Sequence, residues 1–305
     1  MRITTLAEEP GLGEDIRRFI NRCLWRDFVT KSVFEVLTRK DPNYDPRYAF
    51  IAVENGSVEA VAIGVRRVKE PASMVEAHKP AAWAKILAAA TGNIEPLNEA
   101  LEALEDAVRG EGRRQLRVSD YASWYLIPGV DVEYDHIYRL LVNRGYRRGG
   151  EAVNYEVDLS RFYTPGRVAE MTRRLVSEGV DIVEVEWSEE LGKWIEERFG
   201  PFWRIEARMA FEAQEGGILI ASKGGEIMGF SVYGALRPDF FGPIGVDPNI
   251  RGKGIGTVLL FETLHRMKEN GVRIVTIPWT SHLGFYAQVP GIIGIRYFLL
   301  MIKEL

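Results

Sequence analysis

Hydrophobic and polar residues are most regularly patterned in two places along the chain. From Ala49 to Val65 the run AFIAVENGSVEAVAIGV sets β-branched and small apolar residues on either side of Asn55-Gly56. From Ile218 to Gly234 the run ILIASKGGEIMGFSVYG has the same form around Gly224-Gly225. Both predict an antiparallel hairpin closed by a tight turn whose residues reach positive φ. Matching elements follow each hairpin after a helix. Arg114 to Pro128 leads into the amphipathic run Tyr134 to Tyr146 and the strand Ala152 to Leu159. Arg273 to Pro278 leads into Phe285 to Val289 and the strand Ile293 to Ile302. The pairs Ile127-Pro128 and Ile277-Pro278 take equivalent places. One plan (strand, strand, helix, strand, helix, strand) therefore occurs twice. The first copy is longer, with an Ala-rich middle from Ala81 to Arg109.

Thr164-Pro165-Gly166 supplies a turn where strand character ends, which predicts domains at 1–160 and 161–305. Each is long enough to bury a core, domains being typically about 150 residues. Arg167 to Ser177 then reads as an amphipathic helix and Val180 to Trp187 as a strand. Ser188 to Phe199 reads as a helix with Ser188 as N-cap and Glu189 and Glu190 in its first turn.

With 46% hydrophobic and 27% charged residues the chain is globular and not disordered. A net charge of −4 gives no reason to expect a nucleic acid or an anionic membrane as partner. The doublets Arg66-Arg67, Arg113-Arg114 and Arg147-Arg148 read as solvated surface. The single cysteine, Cys23, excludes an internal disulfide, and its place in the apolar-periodic segment Ile16 to Val29 reads as a buried small hydrophobe. His78, His136, His265 and His282 lack metal-ligand spacing, so no metal is expected. The N-terminus has no signal-like apolar core, and no run approaches the roughly 18 apolar residues of a spanning helix, so a cytoplasmic protein is expected.

The stretch Phe241 to Leu260, FGPIGVDPNIRGKGIGTVLL, carries the chemistry. Ile244-Gly245-Val246 is the end of a strand and Asp247-Pro248-Asn249 breaks it. Arg251-Gly252-Lys253-Gly254-Ile255-Gly256 is a basic, glycine-rich loop, and Thr257 to Lys268 has helical apolar spacing. Strand, glycine-rich loop and helix together present backbone N–H groups to a phosphate, and Arg251 and Lys253 supply formal charge. A dinucleotide G-x-G-x-x-G fails at Thr257, and no P-loop is present.

What remains, R-x-x-G-x-G after V-x-P, resembles the GCN5-related N-acetyltransferase (GNAT) superfamily, whose acyl-CoA loop is Q/R-x-x-G-x-G/A. Downstream, Gly284-Phe285-Tyr286 matches the family's Phe-Tyr helix start, while its usual Gly-Phe is replaced by Gly291-Ile292. Between Val65 and Leu101 the first half has no such loop, only Ala88-Ala89-Ala90-Thr91-Gly92-Asn93.

The resemblance implies an α+β protein of two GNAT-like domains, each a mixed, mainly antiparallel twisted sheet flanked by helices, the first having lost CoA binding. It implies that the amides of Arg251, Gly252, Lys253, Gly254, Ile255 and Gly256 hold the pyrophosphate of acetyl-CoA, with Phe285 beside it. It also implies that the backbone of Ile244, Gly245 and Val246 pairs with the pantetheine arm. Direct acetyl transfer to a primary amine of a small molecule or peptide would follow. Tyr286 would be the general acid, and Asp239, Glu206 and His282 are the candidate bases. Trp203, Arg204 and Trp279 are candidates to line the acceptor pocket, with core packing the competing role for the aromatics. Two other activities stay open: a CoA-binding sensor without turnover, and an acyltransferase using another acyl donor.

Overall fold

The computed structural model describes residues 1–305. It divides into two compact units, 1–152 with 297–305, and 153–296. The turn at 164–166 thus lies inside the second unit, and the last residues of the chain belong to the first. The reason is strand pairing: a terminal strand goes where its backbone groups find partners.

In the first unit the chain forms β1 (Arg2–Thr5), α1 (Gly13–Cys23), α2 (Lys31–Leu37), β2 (Ala49–Glu54), β3 (Ser57–Val65) and β4 (Ala81–Ala89). It continues through α3 (Glu95–Gly110), β5 (Gln115–Val118), β6 (Val130–Asp131), α4 (Asp135–Asn143) and β7 (Arg147–Asp158), whose second half enters the second unit. Strands β1 to β5 are neighbours in order, antiparallel except for the parallel pair β4–β5. The β2–β3 turn has Asn55 at φ 50° and Gly56 at φ 81°, the geometry that Asn-Gly favours. On α3 the side chains of Leu97, Leu101, Leu104 and Val108 fall on one buried stripe. Gly64 of β3 lies so close beneath it that an added Cβ would meet Leu104 at 2.3 Å.

The second unit contains α5 (Gly166–Ser177), β8 (Asp181–Val185), α6 (Glu189–Phe199), α7 (Pro201–Glu212), β9 (Gly217–Lys223), β10 (Glu226–Tyr233) and β11 (Phe241–Val246). After these come α8 (Ile255–Glu269), β12 (Ile274–Thr280), α9 (Leu283–Tyr286) and β13 (Ile292–Glu304), whose last residues re-enter the first unit. Strands β8 to β11 form an antiparallel sheet, and β12 pairs antiparallel with the second half of β7. Alternation along β9 divides the core. Leu219 and Ala221 join the cluster built with α5 and α8, while Ile218 and Ile220 join the one built with α6 and α7. Ser188 caps α6, accepting from the Leu191 N–H at 3.1 Å.

In the first unit the last residues of β13 run antiparallel to β5, pairing Met301 to Glu304 with Val118 to Gln115. Lys303 reaches the buried Glu105 at 2.7 Å, which also accepts from Arg144 at 2.8 Å and Tyr146 at 2.9 Å. Burial pushes the Glu105 carboxyl up, but these donors more than offset it and the net shift is downward.

Three sequence expectations differ from the structure. The Ala-rich middle of the first copy adds a strand that the repeated plan lacks: its first nine residues are β4 and its later part is α3. Small residues suit a strand buried on both faces as well as they suit a helix. The two Ile-Pro pairs are not equivalent, since Ile277-Pro278 lies within β12 and Ile127-Pro128 in the loop between β5 and β6. Arg66 and Arg67 are not solvated. Arg67 is 1% exposed, lies over Tyr121 at 4.4 Å and donates to Glu70 O at 2.6 Å, Ala122 O at 3.0 Å and His78 Nδ1 at 3.0 Å. Arg66 is bound to Asp45 and Glu111. Cys23 is buried in α1, and burial pushes its thiol up to about 11, so it is inert as a nucleophile.

Candidate functional site

The chain entering β11 runs parallel to β12 and meets it at a single bridge just before the strand, Phe240 with Thr276, where the Thr276 N–H donates to Asp239 O at 2.8 Å. Beyond it β11 pairs only with β10. The Asp247 N–H donates to Met228 O at 2.9 Å, and Gly245 lies opposite Phe230 in the same register. Alternate strand residues point their amides oppositely, so the N–H and C=O of Ile244 and Val246 face the unpaired edge. That edge is a template for an extended, amide-containing ligand.

At the end of β11 the Asp247 side chain accepts from the Asn249 N–H at 2.9 Å and from Arg198 Nε of α6 at 2.8 Å, which fixes the turn. Arg251, Gly252 and Lys253 are exposed. Gly252 (φ 82°) and Gly254 (φ 89°) both take the left-handed conformation that glycine adopts without strain. The first hydrogen bond of α8 is Val258 N–H to Gly254 O, 3.1 Å. The N–H groups of Ile255, Gly256 and Thr257 therefore have no acceptor within the helix and face the loop with the positive end of its dipole. Arg251 Nε donates back to Val246 O at 3.2 Å, which ties the loop to its strand. Gly245 lies under Phe199, whose ring an added Cβ would meet at 2.6 Å, whereas a Cβ on Gly256 would meet nothing nearer than Val246 Cγ2 at 3.4 Å. Phe285 Cζ, 3.6 Å from that position, places its ring against the start of α8.

Tyr286 is half-buried on α9. Its ring centroid lies 4.9 Å from Phe285 and 6.3 Å from both Tyr155 and Phe241, the residue that opens β11. Burial pushes its phenol up to about 12. The carboxylate of Asp239 is held at two points by Arg237, at 3.0 and 2.8 Å. His282 is exposed and caps α9, its N–H on Thr280 Oγ1 at 3.0 Å and its carbonyl receiving the Phe285 N–H. Glu206 is half-buried in the middle of α7. Trp203 stacks on Phe199 at 5.2 Å and packs against the α6–α7 core, while Arg204 binds Glu196 and Glu189. Trp279 sits at φ 46° where β12 bulges against β7, its N–H on Asn154 Oδ1 at 2.8 Å.

Several contributors were not singled out in the sequence. Met171 of α5 packs beneath Gly254, and Arg174 Nη2 donates to Lys253 O at 2.7 Å. Phe199 and Arg198 of α6 hold β11 and its turn. Neither helix carries a sequence pattern that announces these contacts; they follow from packing across long sequence separations.

Residues 180–288 match the model of the Acetyltransferase (GNAT) family. Solved structures of the same fold include three that cover nearly the whole chain. The GCN5-related glucosamine N-acetyltransferase region of a fungal multi-domain GH3 β-N-acetylglucosaminidase has a TM-score of 0.76 at 15% identity over 99% of this chain, which spans 38% of that protein. A tandem GNAT protein from the clavulanic acid biosynthesis pathway, without AcCoA, has a TM-score of 0.64 at 14% identity, covering 99% of this chain and 98% of its own. A GCN5-related N-acetyltransferase from Sphaerobacter thermophilus has a TM-score of 0.65 at 17% identity, covering 97% and 93%. A search of curated protein sequences finds no match to this chain. No helix is long and apolar enough to cross a membrane.

Proposed function

The chain carries an acetyltransferase (GNAT) family domain at residues 180–288 in a fold shared with tandem GNAT proteins, and on that premise we propose that it is an N-acetyltransferase moving the acetyl group of acetyl-CoA to the primary amine of a small molecule or peptide. The observation that carries this reading is the glycine loop 251–256 joined to the unpaired edge of β11. The loop offers amides and two cationic side chains to a pyrophosphate; the edge offers the Ile244 and Val246 amides to the pantetheine arm.

The reacting thioester would then lie where β11 and β12 part, beside Phe241 and Tyr286. The amine lone pair attacks the thioester carbonyl carbon; the C–N bond forms, the C–S bond breaks, and the sulfur takes the Tyr286 proton. A phenol at about 12 is fully protonated at neutral pH, so Tyr286 is suited to be the acid and not the base. Asp239 is ion-paired with Arg237, and we assign the amine's proton to His282, which caps the helix that carries Tyr286. Both substrates held in one site lower the entropic part of the barrier, and amides at the strand edge stabilise charge on the carbonyl oxygen.

The first unit does not bind CoA in this reading. Its corresponding helix, α3, begins at Glu95-Pro96, an acidic residue followed by one with no N–H.

Calorimetric titration with acetyl-CoA is the test, run on the native chain beside Arg251→Glu/Gly254→Asp. Micromolar binding that the variant loses is the expected result. Absence of binding to the native chain overturns the reading.

A further inference from the structure

We propose that α5, which precedes the residues matched to the family, is the positioning element of the glycine loop, acting through Arg174 on the Lys253–Gly254 peptide; this rests on the acetyl-CoA reading of that loop. In a planar trans peptide the C=O of one residue and the N–H of the next point in opposite directions. Arg174 Nη2 holds the Lys253 carbonyl at 2.7 Å. The Gly254 N–H must therefore point away from Arg174, and the carbonyl oxygen cannot turn inward to set a negative dipole where a phosphate would sit. Met171, one helical turn earlier on α5, completes the clamp. An added Cβ on Gly254 would stand 2.2 Å from its Sδ, so the thioether occupies the space under the left-handed glycine. The rest of the loop has no comparable restraint: Arg251, Gly252 and Lys253 are exposed, and Arg251 holds only the strand behind it.

Arg174 is itself exposed, and its ion pair with Glu178 is long at 3.9 Å, so its removal spares the fold. The arrangement makes a distinction between two roles. A positioning arginine works by donating to a carbonyl, which lysine also does. An arginine that touched the phosphate would work by charge.

The experiment titrates acetyl-CoA into the full-length native chain, Arg174→Ala and Arg174→Lys at several salt concentrations, with thermal unfolding of each. We expect Arg174→Ala to weaken binding and raise the KM for acetyl-CoA about three- to tenfold with kcat unchanged, the loss set by one hydrogen bond. Arg174→Lys is expected within about twofold of the native chain by the same measure. The dependence of log Kd on log salt should be the same for all three. Native binding with an unaffected Arg174→Ala overturns the clamp and leaves the acetyl-CoA reading intact. So does a lysine variant as impaired as alanine, which shows that a cationic donor at this position does not hold the loop, or a salt slope reduced in the alanine variant, which signals direct phosphate contact. A native chain that binds no acetyl-CoA overturns both.

Discussion

The two units contain the same juxtaposition, two parallel strands joined by a buried helix, and use it oppositely. In the second unit β11 and β12 part after one bridge and a glycine loop lies beyond. In the first, β4 and β5 stay paired from Ala81–Gln115 to Ala84–Val118. The next residue on β4 is Lys85, whose side chain is fully buried against Asp41 at 2.6 Å and Leu37 O at 2.6 Å, with Tyr121 beneath it. The loop after β5 brings Tyr121 and Leu126 inward and has Ser119, Ser123 and Trp124 at positive φ. Interior space at the end of a split pair is filled either by a ligand or by the chain itself. A buried cation paired with one carboxylate is expensive to assemble and costly to break, so the first unit is committed to its filled state.

Breaking that commitment should cost the most stability. Lys85→Ala leaves Asp41 buried without its cation and should cost about 3–5 kcal/mol of stability by chemical denaturation. Acetyl-CoA affinity, measured on the fraction still folded, should be unchanged. A large loss of affinity would show that the filled end of the first unit takes part in binding.

Tyr286→Phe sharpens the opposite side. Loss of the proposed acid should lower kcat about a hundredfold while Kd for acetyl-CoA is kept, read by thiol release and by calorimetry. Because the phenol titrates near 12, the native rate should show no alkaline decline from this group up to about pH 10. A decline near neutrality that disappears in the phenylalanine variant would overturn the assignment.

The smallest effect concerns the first unit's hold on the end of the chain. Glu105→Gln removes the charge that Arg144 and Lys303 share and should cost about 1–3 kcal/mol at neutral pH. The folded carboxyl titrates below its usual value. Its stabilisation is therefore complete above the unfolded carboxylate range and is lost as pH falls through the folded value. The difference between native and variant in urea midpoint should accordingly vanish at acid pH. A difference independent of pH would make Glu105 a packing residue only.

The features legible in the residue order are local. Asn55-Gly56 and Gly224-Gly225 specify their hairpins because few residues tolerate positive φ, and Ser188 specifies a helix start because its hydroxyl satisfies an otherwise unpaired amide. The glycines of 251–256 were legible for the same reason: they mark where the backbone must turn left-handed. The rest depends on contacts that exist only once the chain has folded. Ala81 to Ala89 carries no period that separates a buried strand from a helix, so β4 exists because β3 and β5 receive its backbone groups. Arg67 is buried because Tyr121 and the carbonyl of Ala122, more than fifty residues away in sequence, close over it. The partners of the loop, Met171 and Arg174, lie some eighty residues before it, and a contact across that distance leaves no mark on either segment. Burial and pairing over long separations are properties of the assembled chain, and they decide where the last nine residues belong as well.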